Sequence, residues 1–156
     1  MKQLLKTTEE IAEFQKLVKD LSRGMSHLFA YGVSDSQRAY LIAALKNRAV
    51  PQILVVTADS LEAKKLAEDL LLFLSADEVA VFPASSVLPY ETAARSPEFT
   101  AKRLKVMENL LMKKPMVVVA PIQALLTKVV SPDIVKKFTL ELKVGDIIAM
   151  DDIVSK

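Results

Sequence analysis

The stretch ILVVTADSLEAKKLAEDLLLFL, residues 53–74, changes period in its middle, and that change decides the fold. Its first five residues form a continuous β-branched and aliphatic run bounded by Pro51 and Asp59, the pattern of a strand covered on both faces. After Asp59 or Ser60, either of which suits a helix N-cap, Leu66, Leu70 and Leu74 recur every fourth residue on one helical stripe. A buried strand that hands over directly to an amphipathic helix is half of a βαβ unit.

The same unit recurs on both sides. Upstream, Thr7 and Glu10 have capping-box spacing, and Ile11, Phe14, Leu17, Val18 and Leu21 predict a helix over about residues 8–22. HLFAY (27–31) predicts a short buried strand, and SQRAYLIAALKNR a helix with Tyr40, Leu41, Ala44 and Leu45 inward. Downstream, VAVF (79–82) and MVVVA (116–120) predict strands. Between them SPEFTAKRLKVMENLL (96–111) opens with Ser96 as cap and Pro97 at the first helical position. PIQALLTKVV adds a short helix. Alternation of this kind predicts an α/β fold, a parallel sheet flanked by helices with right-handed crossovers, over residues 1–132. After Pro132 the period becomes two: FTLELKVGD (138–146) reads as an antiparallel strand with one wet face. Residues 133–156 are therefore expected to begin a small second domain, incomplete in this chain.

Composition narrows the function. The chain has 156 residues, a net charge of +2, one histidine and no cysteine. Disulfides, thiolate metal sites and cysteine nucleophiles are excluded, and His27 has no second histidine to share a metal with, so no metal site is expected. No apolar run approaches the roughly 20 residues that span a bilayer, and MKQLLKTTEE is too polar for a signal peptide. A cytoplasmic location without membrane contact is expected.

One loop has the setting of a phosphate site without its residues. A phosphate loop, G-x-x-x-x-G-K-[ST], follows a strand and opens a helix. Residues 32–39, GVSDSQRA, occupy that setting, and Gly32 alone matches. Gln37 stands where the second glycine lets the backbone wrap phosphates, and Arg38 replaces the compact lysine ammonium. Ala39 removes the hydroxyl that ligates magnesium, and Asp35 sets a carboxylate among Ser34, Ser36 and Gln37, where an anion would lie. An ordinary βα turn explains the same residues. Neither reading gives this chain a catalytic residue or a cofactor, because no strand ends in the paired acids that hold magnesium and water.

Other candidates are weaker. Lys102, Arg103 and Lys105, with Lys113 and Lys114, could contact nucleic acid or a neighbouring domain, but Glu98 and Glu108 dilute the charge and a solvated helix face is the simpler account. Tyr90 is the lone aromatic of residues 84–95, and Leu88, Pro89 and Tyr90 form an apolar tip for the core or for a neighbouring domain. Glu91 and Glu98 flank that segment without a visible pocket, and Glu98 suits the helix dipole.

The runs GVSDSQRAYLIAAL, ILVVTADSLEAKKLAEDLLLFL, VFPASSVLPYETAARSPEFTAKRLKVMENLL and MVVVAPIQALLTKVVSP together resemble the N-terminal part of bacterial transcription-repair coupling factors (Mfd), itself similar to the excision-repair protein UvrB. The resemblance covers about residues 8–146, with the SPE…RL and VVVAP blocks most specific. It implies a UvrB-like, RecA-like domain whose phosphate loop has decayed, serving as a non-catalytic scaffold. In the whole protein it implies ATP and magnesium in downstream motor domains, with UvrA, RNA polymerase and double-stranded DNA as partners. UvrB's aromatic DNA-clamping hairpin is reduced here to about a dozen residues, and the UvrA-recruiting domain to its first strand. The alternative is the nucleotide-binding half of an active helicase.

Overall fold

The computed structural model describes residues 8, 10–84, 97–138 and 145. In chain order the elements are α1 (Ala12–Ser22), α2 (Asp35–Arg48), β1 (Gln52–Thr57), α3 (Ser60–Leu70), β2 (Val79–Val81), α4 (Pro97–Leu111), β3 (Met116–Pro121), α5 (Ile122–Leu125) and α6 (Pro132–Phe138). The three strands form a parallel sheet in the order β1-β3-β2. This is the α/β architecture expected from the alternation of strand and helix patterns.

β3 lies at the centre, and all six of its residues are buried. Its side chains alternate between two cores. Val117 and Val119 face α2 and α3, where they meet Ala39, Ala43, Ala63, Leu66, Leu70 and Leu74, with Phe14 of α1 closing that side. Met116, Val118 and Ala120 face the other way, toward Val106 of α4, Ala124 of α5 and Phe82. Alanines at the helix contacts let the helices approach the sheet closely. α6 packs against α4, with Val135 buried.

Local signals place the helix starts. Asp59 is the N-cap of α3, accepting from the Glu62 amide at 2.8 Å, and Pro97 opens α4 as expected. A half-buried charge pair braces the α2 side: buried Lys46 bonds the partly exposed Glu78 just before β2, and Glu78 also accepts from the Ser75 amide at 3.0 Å and its hydroxyl at 2.7 Å.

Three expectations need correction. HLFAY is not a strand: Phe29 and Tyr31 are 78% and 88% exposed and stack on each other, ring centroids 6.3 Å apart. Apolar character alone does not make a strand. A ladder partner is required, and the described sheet contains β1, β3 and β2 alone. Second, β1 is an edge strand covered on one face; Leu54 and Val56 are 56% and 48% exposed, because α4 lies over β3 and β2. Third, the helix expected over residues 8–22 is interrupted at Glu10 and Ile11: Thr8 is helical, and α1 begins at Ala12, with Ile11 as an N-cap lacking a side-chain bond. Thr7, Ser96, the apolar tip at Leu88, Pro89 and Tyr90, and Glu91 fall outside the described residues. So does the FTLELKVGD strand, except that Phe138 closes α6 and Gly145 lies at φ 102°.

The two-sided core makes a contrast testable by urea unfolding. Leu70→Ala, at a fully buried side chain, is expected to cost about 2–5 kcal/mol. Leu61→Ala, at the second residue of the same helix but exposed, should stay within about 0.5 kcal/mol.

Candidate functional site: a sealed phosphate-loop position

Gly32 adopts φ +78°, a left-handed turn that glycine takes without strain. From there the chain enters α2 in a way a phosphate loop does not. Ser34 is the N-cap, and its amide donates to Gln37 Oε1 at 3.1 Å, the return half of a capping box. The amides of Gln37 and Arg38 donate to the Ser34 carbonyl at 3.0 and 3.1 Å. The Ser34 and Ser36 hydroxyls lie 3.2 Å apart. Gln37, read from sequence as a missing glycine, is thus the residue that closes the helix start. Ala39 is buried in the core with Val117 and Val119.

Arg38 does not reach into an open loop. One terminal nitrogen bonds Asp35 on the first turn of its own helix, and the other donates to Glu62 Oε1 of α3 at 2.8 Å. The second oxygen of Glu62 accepts from the Ala58 amide at 3.1 Å. Two helix starts therefore meet through one guanidinium held between two carboxylates. The hydrogen bond from Arg38, reinforced by its charge, holds Asp35 below its ordinary value of 3.8. Hydrogen bonds to Asp35 and then Glu62 raise Arg38 above its ordinary value.

A larger concavity lies alongside. An apolar groove of about 780 Å³ runs between α1, the segment after Leu28 and the start of α2, with Phe14, Leu17, Phe29, Tyr31 and Tyr40 among its walls. The Thr8 hydroxyl donates to the Tyr40 hydroxyl there. Its charged residues, Glu13, Lys16 and Asp20, all belong to α1.

The structure divides the basic residues of α4. Lys102 pairs with Glu98 at 2.7 Å and Lys105 with Glu108 at 2.9 Å, both on the exposed face. Lys102 holds Glu98 below its ordinary 4.5, first by its hydrogen bond and then by its charge. Arg103 turns inward: it is 9% exposed, donates to the Pro83 carbonyl at 2.9 Å and the Ala124 carbonyl at 3.4 Å, and lies 4.0 Å from the centre of the Phe82 ring. It fastens α4 to the segment after β2 and to α5, and presents no guanidinium to nucleic acid. Phe99, Arg103 and Val106 share a helical phase, and that spacing is the sequence signal that identifies Arg103 as inward. No group of three or more histidine, cysteine or acidic side chains able to hold a metal ion occurs among the described residues. No helix among them is long and apolar enough to cross a membrane.

An α/β domain with a small parallel sheet flanked by helices is the class of protein these features define; with residues 27–31 not forming a strand, the loop at Gly32 keeps only the helix half of a phosphate-loop setting. Its curated homologues are transcription-repair-coupling factors. That of Bacillus subtilis is 28% identical over 148 residues, covering 95% of this chain and 13% of the relative. Those of Staphylococcus aureus strains RF122 and USA300 are 26% and 25% identical over 133 residues, each covering 85% of this chain and 11% of the relative. No family model matches the chain. The resemblance read from the sequence blocks is thus supported along nearly the whole chain, which spans about an eighth of the length of these relatives.

Two measurements check the site. Asp35 and Glu98 titrate lower folded than unfolded, so the unfolded chain binds protons first as pH falls. Their stabilisation is complete above the ordinary carboxylate values and is lost below them. Urea midpoints should fall from neutral pH to about pH 3, and Arg38→Ala should flatten part of that slope. Arg103→Met should destabilise by about 2–3 kcal/mol through its two orphaned carbonyls, while Lys102→Ala leaves the midpoint within about 0.5 kcal/mol.

Proposed function

We propose that this chain is a non-catalytic scaffold piece of a transcription-repair coupling factor, corresponding to the N-terminal UvrB-like part of that protein. The observation that carries this reading is the match of 95% of the chain to a relative of that name, in which it occupies 13% of the length. The coupling of transcription to repair named in the relatives requires recognition of RNA polymerase stalled at a lesion. The complete protein, on this reading, releases the polymerase by ATP-driven translocation on double-stranded DNA and hands the lesion to excision repair through UvrA. ATP and magnesium belong to motor domains elsewhere in it. Residues 133–156 would begin the small domain that recruits UvrA, and the protein works in the cytoplasm.

The sealed loop supports the non-catalytic assignment. Wrapping a polyphosphate needs free backbone amides, an unpaired cation and a magnesium ligand. Here Gln37 occupies the Ser34 amide, two carboxylates occupy Arg38, and Ala39 lies in the core.

Thermal melting with ATP and magnesium tests the assignment. A ligand present at 100 times its dissociation constant stabilises the native state by ~2.7 kcal/mol, which is plainly visible as a shift. No shift is expected; a clear shift abolished by Arg38→Ala would establish the alternative, a nucleotide-binding half of an active helicase. DNA binding by this chain should be weak, indifferent to damage and lost between low and physiological salt, as phosphate contacts are. Tight binding of damaged duplex at physiological salt would contradict it.

A further inference from the structure

We infer that the residues before Thr8 fold back on this domain, with Leu4 and Leu5 lying in the apolar groove against Phe29 and Tyr31. The groove between α1 and the start of α2 is then a seat for the chain's own N-terminal segment.

Uncovered apolar surface is the first observation. Phe29 and Tyr31 are 78% and 88% exposed and Ile11 is 48% exposed, and all three line the one groove of about 780 Å³. Two stacked aromatic rings left facing water forgo the largest burial gain that side chains offer. The second observation is where the chain enters. Thr8 is helical and buried, its hydroxyl donates to the Tyr40 hydroxyl, and both residues line the groove. The segment before Thr8 therefore departs from the groove wall itself.

Spacing then aims the segment. Leu4 and Leu5 precede Thr8 by four and three residues, the separations at which side chains share one helical face. A helical turn continued upstream from Thr8 points both leucines where Thr8 already points. Even fully extended, four residues reach no further than about 14 Å, so the pair stays beside the groove. Charge agrees: the groove's charged side chains are Glu13, Asp20 and Lys16, a net negative set, and Lys2 and Lys6 flank the leucines. The tether selects this occupant over a second copy of the chain. A segment joined to the wall by three or four residues competes at high effective concentration, whereas a second copy must offset its lost translation and rotation.

Nuclear Overhauser contacts in the full chain test the position. Cross-peaks from the Leu4 and Leu5 methyls to the Phe29 and Tyr31 rings are expected, and they should persist on dilution. A mixture of methyl-labelled and ring-labelled chains should show none. Missing cross-peaks in the native chain, or their appearance between chains in the mixture, overturn the inference, the second outcome in favour of a dimer. Urea unfolding tests the energetics. L4S/L5S should raise the unfolding equilibrium constant at least about tenfold in the native background and no more than about twofold in F29S/Y31S. An equal rise in both backgrounds, or no rise in either, overturns it as well. Should F29S/Y31S fail to fold, Y31S alone serves as the background, and the same comparison decides.

Discussion

Burial of β3 on both faces is the constraint on which the other elements depend. A parallel strand with apolar residues on both sides needs a layer of helices on each side and a neighbour on each edge. Val117 and Val119 call for α2 and α3, while Val118 and Ala120 call for α4 and α5. β1 and β2 supply the edges, and α2 and α3 carry alanines in the core they share with the sheet. The order β1-β3-β2 follows from the latest strand in sequence being the most apolar and taking the centre.

That hierarchy explains what was legible in the sequence. β3 and the Leu66–Leu70–Leu74 stripe announce themselves because burial there depends on the residues' own apolar character and spacing. HLFAY and the outer face of β1 look equally apolar, yet their burial depends on a neighbour that sequence periodicity does not name. Leu54 and Val56 are as β-branched or aliphatic as Val118 and Ala120 opposite them, and differ in having no helix above them among the described residues. Apolar content predicted the strand; it did not predict the cover.

The loop at residues 32–39 is legible in the sequence only as a departure from a template. Comparison with the phosphate-loop template showed that Gln37, Arg38 and Ala39 depart from it, but described those positions as losses. The structure gives each a use: Gln37 closes the helix start, Arg38 joins α2 to α3, and Ala39 fills the core. The Arg38–Glu62 pair spans 24 residues, beyond the reach of any local pattern. Arg103 was misjudged for the opposite reason. It sits in a run of basic residues that looks solvated, and the phase it shares with Phe99 and Val106 outweighs the charge of its neighbours.

These pairings commit part of the positive charge that the net charge counts. A formal +2 suggests a mild attraction to nucleic acid, but attraction requires cations free to exchange carboxylate for phosphate. Lys46 is committed to Glu78, Arg38 to Asp35 and Glu62, Lys102 to Glu98 and Lys105 to Glu108, and Arg103 is held by backbone carbonyls and an aromatic ring. The exposed pairs exchange readily in water, so they permit a salt-sensitive encounter. The buried ones do not, because breaking them leaves a charge or a carbonyl without a partner in the core. Arg38, turned onto two carboxylates, ties α2 to α3, and Arg103, turned onto two carbonyls, ties α4 to α5 and to the segment after β2, so these helices are held together by the chain's own groups.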